Sequence, residues 1–327
     1  MALFLRILKK AARKEFYLMK AVITGATGAV GMALIAELIK NDIEVLVLSR
    51  PGSSRNERLK LGDKVKVAEC DLKDLKDYQP TSGESYDWFF HFGWIGTTGQ
   101  ARNDMHLQNK NVEYTLDAVD LAHRFGCTAF IGAGSQAEYG RVEGKLSDKT
   151  PTNPEMGYGI AKLCAGSMSR IKCASLGMRH IWVRILSVYG PYDNEVSMVI
   201  STLRNMIAGE TPEFTAGEQM WDYMYSEDAA RALLALAERG RGGEVYCLGS
   251  GKEAMLKEYI IKMRDAANPA CGLGLGKRPY AENQVMYLCA DIEKLTADTG
   301  FVPSVSFDEG IAKTVAWVRA DIAKNAL

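Results

Sequence analysis

The sequence predicts an α/β protein in which a doubly wound parallel sheet is followed by a smaller C-terminal α/β lobe. From residue 20 onward, short apolar segments alternate with segments of helical period. A glycine-rich turn over residues 24–31 joins the first apolar segment to the first helical one. After residues 189–191 (Tyr-Gly-Pro) the segments become longer and the alternation changes. Strands separated by helices form parallel sheets covered on both faces, so the first part is predicted to be Rossmann-type.

The predicted strands are short apolar runs bounded by turn residues. They cover residues 21–23, 43–48, 64–69, 86–92, 129–131, 180–186 and 244–248. The predicted helices have apolar residues at a spacing near 3.6. They cover residues 30–39, 111–125, 158–176, 228–239 and 307–323.

Composition argues against several classes of protein. The 327 residues include 40 basic and 40 acidic side chains, so no excess of one sign indicates a nucleic-acid partner. No apolar run is long enough to cross a bilayer. The seven cysteines contain no Cys-x-x-Cys and the four histidines show no ligand spacing. We therefore expect a cytoplasmic protein with reduced cysteines and no metal site.

Residues 1–18 are predicted to form a basic amphipathic extension. Apolar side chains share one helical face, with lysines and an arginine mostly opposite. Such a helix can contact a membrane or a partner protein. Because Met19 opens a natural first strand, we favour a translated extension without a catalytic role.

The glycine-rich turn has the spacing Gly-x-x-Gly-x-x-Gly between a strand and a helix. In that context Gly25 allows the tight turn, Gly28 lets the backbone approach a pyrophosphate, and Gly31 lets the helix pack against the strand. The free N–H groups at the helix N-terminus then face the phosphates. This arrangement predicts a dinucleotide site.

The end of the second strand is expected to lie near the adenosine ribose. An acidic residue there favours NAD, whereas this chain has Arg50, with Arg55 close behind. The cation slightly favours NADP, although NAD remains open and Arg50 has an alternative interpretation as an exposed arginine at a loop start. Asp71 follows the third strand, where it either accepts from the adenine amino group or caps the next turn.

Three side chains form the predicted catalytic group. Tyr158 and Lys162 are four residues apart on a helix and so lie on one face. A nearby ammonium favours the phenolate, which would prepare Tyr158 to exchange a proton near neutral pH. Ser135 follows a parallel strand, at the edge where ligands bind, and is expected to hold the substrate oxygen. The competing interpretations are an exposed helical pair and a turn serine.

An ordered set of motifs runs through the chain from Met19 onward. It comprises TGATGAVG (24–31), Asp71-Leu72, His91-Phe92-Gly93, Asn111-Val112, Ser135 with Tyr139-Gly140, Tyr158 with Lys162, RILSVYGP (184–191), Trp221-Asp222-Tyr223, Asp228 and Arg278-Pro279. This set resembles the extended short-chain dehydrogenase/reductase superfamily, in its NAD-dependent epimerase/dehydratase branch acting on nucleotide sugars.

The resemblance implies two domains that bind different ligands. Residues 19–190 would bind NAD(P), and residues 191–327 would mainly bind the nucleotide sugar, with some segments returning to the first domain. The implied cofactor contacts are Gly25, Thr27, Gly28, Ala29, Val30, Gly31, Arg50, Asp71, Leu72, Phe92, Gly93, Tyr158 and Lys162. The implied substrate contacts are Trp94, Ser135, Gln136, Ser187, Phe214, Trp221 and Arg278. Relatives also imply a homodimer formed through the helices at 111–125 and 158–176.

The chain departs from its relatives at several positions. Dehydratases of this branch carry an acid pair where this chain has Gln136 and Ala137. Glu138 comes one position later and is expected to face elsewhere on an extended segment. Ser187 and Trp221 also differ from the usual asparagine and arginine near the substrate. The missing acid pair disfavours a 4,6-dehydratase, whereas the changes at Ser187 and Trp221 indicate a changed substrate.

The reaction expected from this sequence is reduction of a 4-keto-6-deoxy nucleotide sugar, with Tyr158 as proton donor. The alternative is a nucleotide-sugar 4-epimerase that retains NAD. A 4,6-dehydratase and a non-catalytic nucleotide-binding protein are less favoured, the latter because Ser135, Tyr158 and Lys162 are all present.

Overall fold

The computed structural model describes residues 18–325. Its strands are β1 (Lys20–Thr24), β2 (Glu44–Ser49), β3 (Val65–Glu69), β4 (Trp88–His91), β5 (Ala129–Ser135), β6 (Arg179–Ile185), β7 (Ser187–Tyr189), β8 (Met220–Trp221), β9 (Tyr223–Tyr225), β10 (Glu244–Leu248), β11 (Ala254–Met255) and β12 (Tyr287–Leu288). Its α-helices are α1 (Ala29–Lys40), α2 (Met105–Arg124), α3 (Gly157–Ser175), α4 (Met198–Ile207), α5 (Ser226–Arg239), α6 (Leu256–Ala267), α7 (Glu293–Thr299) and α8 (Phe307–Asn325).

A seven-stranded parallel sheet forms the centre of the molecule, which confirms the predicted fold class. Its strand order is β10-β6-β5-β4-β1-β2-β3. The order reverses between β1 and β4, whose last paired residues are Thr24 and His91. In open α/β sheets ligands bind outside the carboxyl ends of the strands at such a reversal. The fold therefore directs attention to the loops that follow β1 and β4.

The central strands of the sheet are buried on both faces, whereas the edge strand β3 has no buried residue. Helices α1 and α5 pack against one face around residues such as Ile35 and Leu233, while α2 lies against the other with Val119 and Phe130 in its core. All four residues of β4 are buried. Strands covered on both faces appear in sequence as continuous apolar runs, which is why these strands were predicted.

Helix α2 begins six residues before its predicted start at residue 111. The Asp104 carboxylate caps it by accepting from the Leu107 N–H at 3.1 Å. Its first turns contain Gln108 and Asn111, which are polar yet buried. The Gln108 amide donates to the Gly96 carbonyl oxygen at 2.9 Å, so these amides hold the loop after β4 instead of facing water.

The C-terminal lobe has its own core, formed by α4, α6 and α8 around Leu203, Ile260 and Val318. Strands β8, β11 and β12 form a small sheet, and β7 pairs with β9. Two later segments return to the large sheet, because β10 joins its edge and α5 packs on its face. The predicted extension at 1–18 lies outside the described residues except for Leu18.

Candidate active site

The glycine turn after β1 has the backbone shape that its spacing predicts. Gly25 has φ of +70°, and a Cβ there would lie 2.5 Å from the Gly93 nitrogen in the loop after β4. A Cβ at Gly31 would lie 2.5 Å from the Ala26 main chain. The third glycine therefore lets α1 pack against the turn itself, whereas the sequence predicted packing against the strand.

The N-terminus of α1 opens into a cleft. Gly28 is its N-cap, with no side-chain cap and no acidic residue in the first turn. A Cβ on Gly28 would meet nothing within 4 Å. The first N–H groups of a helix lack partners inside the helix and attract anions. The open backbone at this position fits the pyrophosphate of a dinucleotide.

The cleft at the sheet reversal has a volume of about 730 Å³. Of the predicted cofactor residues, it is lined by Gly25, Thr27, Gly28, Arg50, Asp71, Leu72, Phe92 and Gly93, together with Trp94. Ala29, Val30, Gly31, Tyr158 and Lys162 instead line an adjoining cleft that also contains Gly25, Gly28, Phe92 and Trp94. All predicted cofactor residues thus lie along one continuous surface.

The far end of this cleft is polar. Ser49, Ser53, Ser54 and Arg55 line it beside Arg50, which is exposed. The Asp71 carboxylate accepts from the Leu72 N–H at 2.6 Å and caps a short 3₁₀ turn. Capping, one of the two predicted roles of Asp71, is therefore present, and the residue also lines the cleft.

The predicted catalytic residues meet in the second cleft, of about 360 Å³. Ser135 is the last residue of β5, while Tyr158 and Lys162 lie in the first two turns of α3. All three line this cleft beside the N-terminus of α1. The structure therefore brings the predicted serine, tyrosine and lysine together at the edge of the dinucleotide cleft.

Helix α3 lies close to β5 because glycines make room for one tryptophan. Cβ atoms at Gly132, Gly134 and Gly166 would all approach the Trp182 ring within 2.5 Å. The Trp182 side chain is buried between the strand and the helix. This packing sets the distance between Ser135 on the strand and the tyrosine on the helix.

Glu138 departs from its predicted conformation. The residues after Ser135 form a 3₁₀ turn, not an extended segment, and Glu138 is fully buried. Its carboxylate accepts from the Ser135 N–H at 2.8 Å and from the Arg184 Nε at 2.7 Å. The Ser135 Oγ accepts from the Ala137 N–H at 3.2 Å, which completes a capping box. Glu138 is thus held in an ion pair behind the serine.

The pKa of Tyr158 lies above its ordinary value, mainly because burial penalises the phenolate. The Ser135 hydroxyl and the Arg102 charge oppose that rise, while the Glu138 carboxylate adds to it. The Arg102 Cζ lies over the Tyr158 ring, 4.7 Å from its centroid. The sequence predicted that Lys162 would lower the pKa of Tyr158, but burial raises it instead.

Lys162 is buried, with 4% of its surface exposed. Its Nζ donates to the Ala133 carbonyl oxygen at 2.6 Å and lies 3.8 Å from the centroid of the Trp94 ring. Burial lowers the pKa of Lys162 to about 7. Its Nζ is 5.8 Å from the Tyr158 ring centroid, so its nearest contacts are the carbonyl and the indole.

The predicted substrate residues are dispersed. Trp94 and Ser135 line the catalytic cleft, and Gln136 follows directly in the 3₁₀ turn. The remaining four lie outside that cleft, towards the C-terminal lobe. The Ser187 Oγ accepts from the Trp221 Nε1 at 2.8 Å. Phe214 packs in the lobe core, and Arg278 is exposed near Glu213.

Sequence reasoning missed two charged residues near Tyr158. Arg102 belongs to the 3₁₀ turn Gly99–Asn103, and Asp193 follows β7 and lines the catalytic cleft. Burial raises the pKa of the Asp193 carboxyl. Neither residue has a spacing relative to Tyr158 that a sequence pattern could detect. The Tyr-Gly-Pro motif just before Asp193 was the only signal available.

The cysteines in the part of the chain that the structure covers are unpaired. Over residues 18–325 no group of three or more histidine, cysteine or acidic side chains is arranged to hold a metal ion. All seven cysteines are free, and six are buried. Over the same residues no helix is long and apolar enough to cross a membrane.

The parallel sheet has a glycine turn suited to phosphate binding at its reversal, and a serine, a tyrosine and a lysine lie beside that turn. This arrangement is typical of nicotinamide-dependent enzymes. Comparison with family models agrees: residues 21–249 match the NAD dependent epimerase/dehydratase family. The chain belongs to this family, whose members act on nucleotide sugars.

Individual relatives are distant. The chain is 24% identical to a dTDP-glucose 4,6-dehydratase of Streptomyces niveus over 92% of its own length and 93% of the relative's. It is also 24% identical to a dTDP-4-dehydro-6-deoxyglucose reductase of Escherichia coli, covering 91% and 97% of the two chains. A solved UDP-glucuronic acid 4-epimerase from Bacillus cereus in complex with NAD superposes with a TM-score of 0.79 at 20% identity, covering 92% and 97%.

Proposed function

We propose that this protein reduces a 4-keto-6-deoxy nucleotide sugar. The observation that carries the proposal is the meeting of Ser135 and Tyr158 at a cleft that continues into the dinucleotide site. A bound nicotinamide dinucleotide supplies the hydride that adds to the carbonyl carbon. Tyr158 donates a proton to the carbonyl oxygen, which becomes the new hydroxyl group. Ser135 holds that oxygen by a hydrogen bond.

The surroundings of Ser135 support reduction over loss of water. A 4,6-dehydratase needs a further general acid and base. Gln136 and Ala137 offer neither, and Glu138 is engaged by buried donors from Ser135 and Arg184. Asp193 lines the cleft, but its carboxylate accepts from the Asn194 N–H at 2.7 Å. The relatives do not separate the two reactions, since a dehydratase and a 4-keto sugar reductase are each 24% identical to this chain.

The cofactor of this reaction is proposed to be NADPH. Arg50 and Arg55 line the polar end of the cleft with three serines, a set of donors suited to a phosphate. NAD is the alternative, and a similar solved epimerase carries it. Lys162 is proposed to orient the nicotinamide ribose, which requires its Nζ to exchange or share its bond to Ala133.

A 4-epimerase is the second candidate, because the same three residues serve oxidation and return of the hydride. The fold likeness to a UDP-glucuronic acid 4-epimerase favours it. In that reaction Tyr158 first accepts the C4 hydroxyl proton and then returns it. The two candidates differ in the fate of the cofactor, since an epimerase regenerates its NAD whereas a reductase consumes NADPH.

The first experiment identifies the cofactor. The purified protein is denatured, and any released nucleotide is identified by mass spectrometry. Stoichiometric NAD would support the epimerase and contradict the reductase. An empty site or NADP would support the reductase, and NADPH oxidation with 4-keto-6-deoxy nucleotide sugars would follow. Tyr158→Phe should abolish turnover while sparing dinucleotide binding, and unchanged turnover would refute the proposed role of Tyr158.

The homodimer and the cytoplasmic location are also proposals. An exposed apolar stripe on α3, made of Ile160, Cys164, Met168 and Ile171, is suited to a homodimer contact. Ile171, which is 66% exposed, offers the sharpest test. A dimer in sedimentation that dissociates in Ile171→Glu supports this contact, whereas a monomeric wild-type chain contradicts it.

The unpaired cysteines support a reducing compartment such as the cytoplasm.

A further inference from the structure

Arg102 lies against Tyr158 and forms no ion pair with an acidic side chain of residues 18–325. Its guanidinium carbon is 4.7 Å from the centroid of the Tyr158 ring, a distance typical of a cation–π contact. Its Nε is buried and makes no hydrogen bond to any residue of the described range 18–325. Leaving a buried guanidinium N–H unpaired is costly, so this arrangement calls for an explanation.

The backbone holds Arg102 in place. The turn Gly99–Asn103 packs on the first turn of α3, where the Gly157 N–H donates to the Asn103 Oδ1 at 3.0 Å. A Cβ at Gly157 would come within 3.1 Å of the Arg102 carbonyl oxygen. The turn and the start of α3 therefore form one rigid unit, and Arg102 keeps its position relative to Tyr158.

Other charged groups around Tyr158 are less well suited to stabilise a phenolate. Lys162, on the same helix, gives a hydrogen bond to Ala133 and loses its charge near neutral pH. Glu138, from the turn after β5, disfavours the phenolate. Asp193, which lines the same cleft, is also acidic. A guanidinium keeps its charge at any pH of interest.

We propose that Arg102 is the cation that stabilises negative charge on Tyr158 as its proton leaves. Arg102 is absent from the residues that line the catalytic cleft, although it lies within the described chain, so it acts through Tyr158 as a positioning residue. The inference rests on the proposed function only in that Tyr158 exchanges the substrate proton. Arg102 would therefore have the electrostatic role that the sequence predicted for Lys162.

The test follows the Tyr158 phenol directly and needs no substrate. Tyrosinate absorbance is titrated, and the Tyr158 signal is the difference between each protein and the same protein carrying Tyr158→Phe. In Arg102→Met and Arg102→Gln the Tyr158 midpoint should move up by about one pH unit. Arg102→Lys should restore most of the shift. Arg264→Met, which removes an arginine of α6 that pairs with its neighbour Asp265, should leave the midpoint unchanged.

A pH profile of turnover gives a second, independent measurement. The limb that belongs to Tyr158 should move to higher pH in Arg102→Met, in whichever direction the reaction is run. A midpoint and limb that stay in place while the KM for substrate rises would overturn the proposal and assign Arg102 to substrate binding. If the titration shifts while no tested sugar is turned over, the proposed function fails and the role of Arg102 stands.

Discussion

Glu138 accepts a 2.7 Å hydrogen bond from the Arg184 Nε in a buried ion pair directly behind Ser135. The same carboxylate accepts from the Ser135 main chain at 2.8 Å and from the Trp182 indole at 3.0 Å. Every donor comes from an element that shapes the catalytic cleft. The pair therefore ties the end of β5 to β6 and fixes the position of Ser135.

Removing one partner of this pair should be costly. Glu138→Ala leaves the Arg184 charge buried without a partner, so the free energy of unfolding should fall by about 3–5 kcal/mol. Urea denaturation followed by circular dichroism measures the change. The double variant Glu138→Ala with Arg184→Met should recover part of the loss, because it removes the stranded charge. A single variant as stable as wild type would contradict the buried pair.

Lys162 should make stability depend on pH in a defined window. Its pKa falls from 10.5 in the unfolded chain to about 7 in the folded protein. Between these values the unfolded state binds more protons, so unfolding becomes harder as pH rises, by up to about 1.4 kcal/mol per pH unit. Below pH 7 both states are protonated and the buried charge destabilises the fold.

Lys162→Met tests this dependence. The variant should be more stable than wild type near pH 6, and the difference should shrink as pH rises towards 10. Urea denaturation of both proteins across this range gives the comparison. Parallel stability curves would show that the folded-state pKa of Lys162 is not depressed.

Substitution of Gly28 should mainly weaken ligand binding, whereas substitution of Gly25 should mainly destabilise the fold. Gly28→Ala meets no neighbouring atom, so stability should change by about 1 kcal/mol or less. Its added methyl group nevertheless projects from the helix N-cap into the cleft, and the Kd for dinucleotide should rise about tenfold or more. Gly25→Ala should destabilise the fold itself, because of its positive φ and the contact with Gly93. Calorimetric titration and thermal unfolding measure the two effects, and unchanged binding in Gly28→Ala would move the pyrophosphate elsewhere.

The sequence predicted the main sheet well because its central strands are buried on both faces, as the fully buried Phe89 and Phe90 of β4 illustrate. It predicted β5 too short, ending at residue 131 instead of Ser135. Its glycines suggested a turn, but Gly132 and Gly134 continue as strand because Trp182 occupies the space above them. A tertiary contact therefore overrode the local propensity.

The meeting of Ser135, Tyr158 and Lys162 in one cleft could be predicted because these residues have fixed spacings and follow recognisable elements. The electrostatics around it could not. Glu138 gained its role from Arg184, on a strand far along the chain, and Arg102 reached Tyr158 through the packing of one loop on α3. Such pairings depend on tertiary distances and have no periodic signature in one sequence.

Arg50 should decide which dinucleotide the protein prefers. It is exposed at the polar end of the cleft, where Arg55 and three serines also lie. If a 2′-phosphate binds there, Arg50→Asp loses a charge-assisted contact and adds repulsion. The Kd for NADPH should then rise by about tenfold or more, with little change for NADH. The NADPH effect should weaken at high salt, since exposed charges are screened. Arg264→Asp, in the C-terminal lobe, should alter neither Kd. Equal losses for both dinucleotides in Arg50→Asp would remove the argument for NADPH, and no loss for either would make Arg50 an exposed loop arginine.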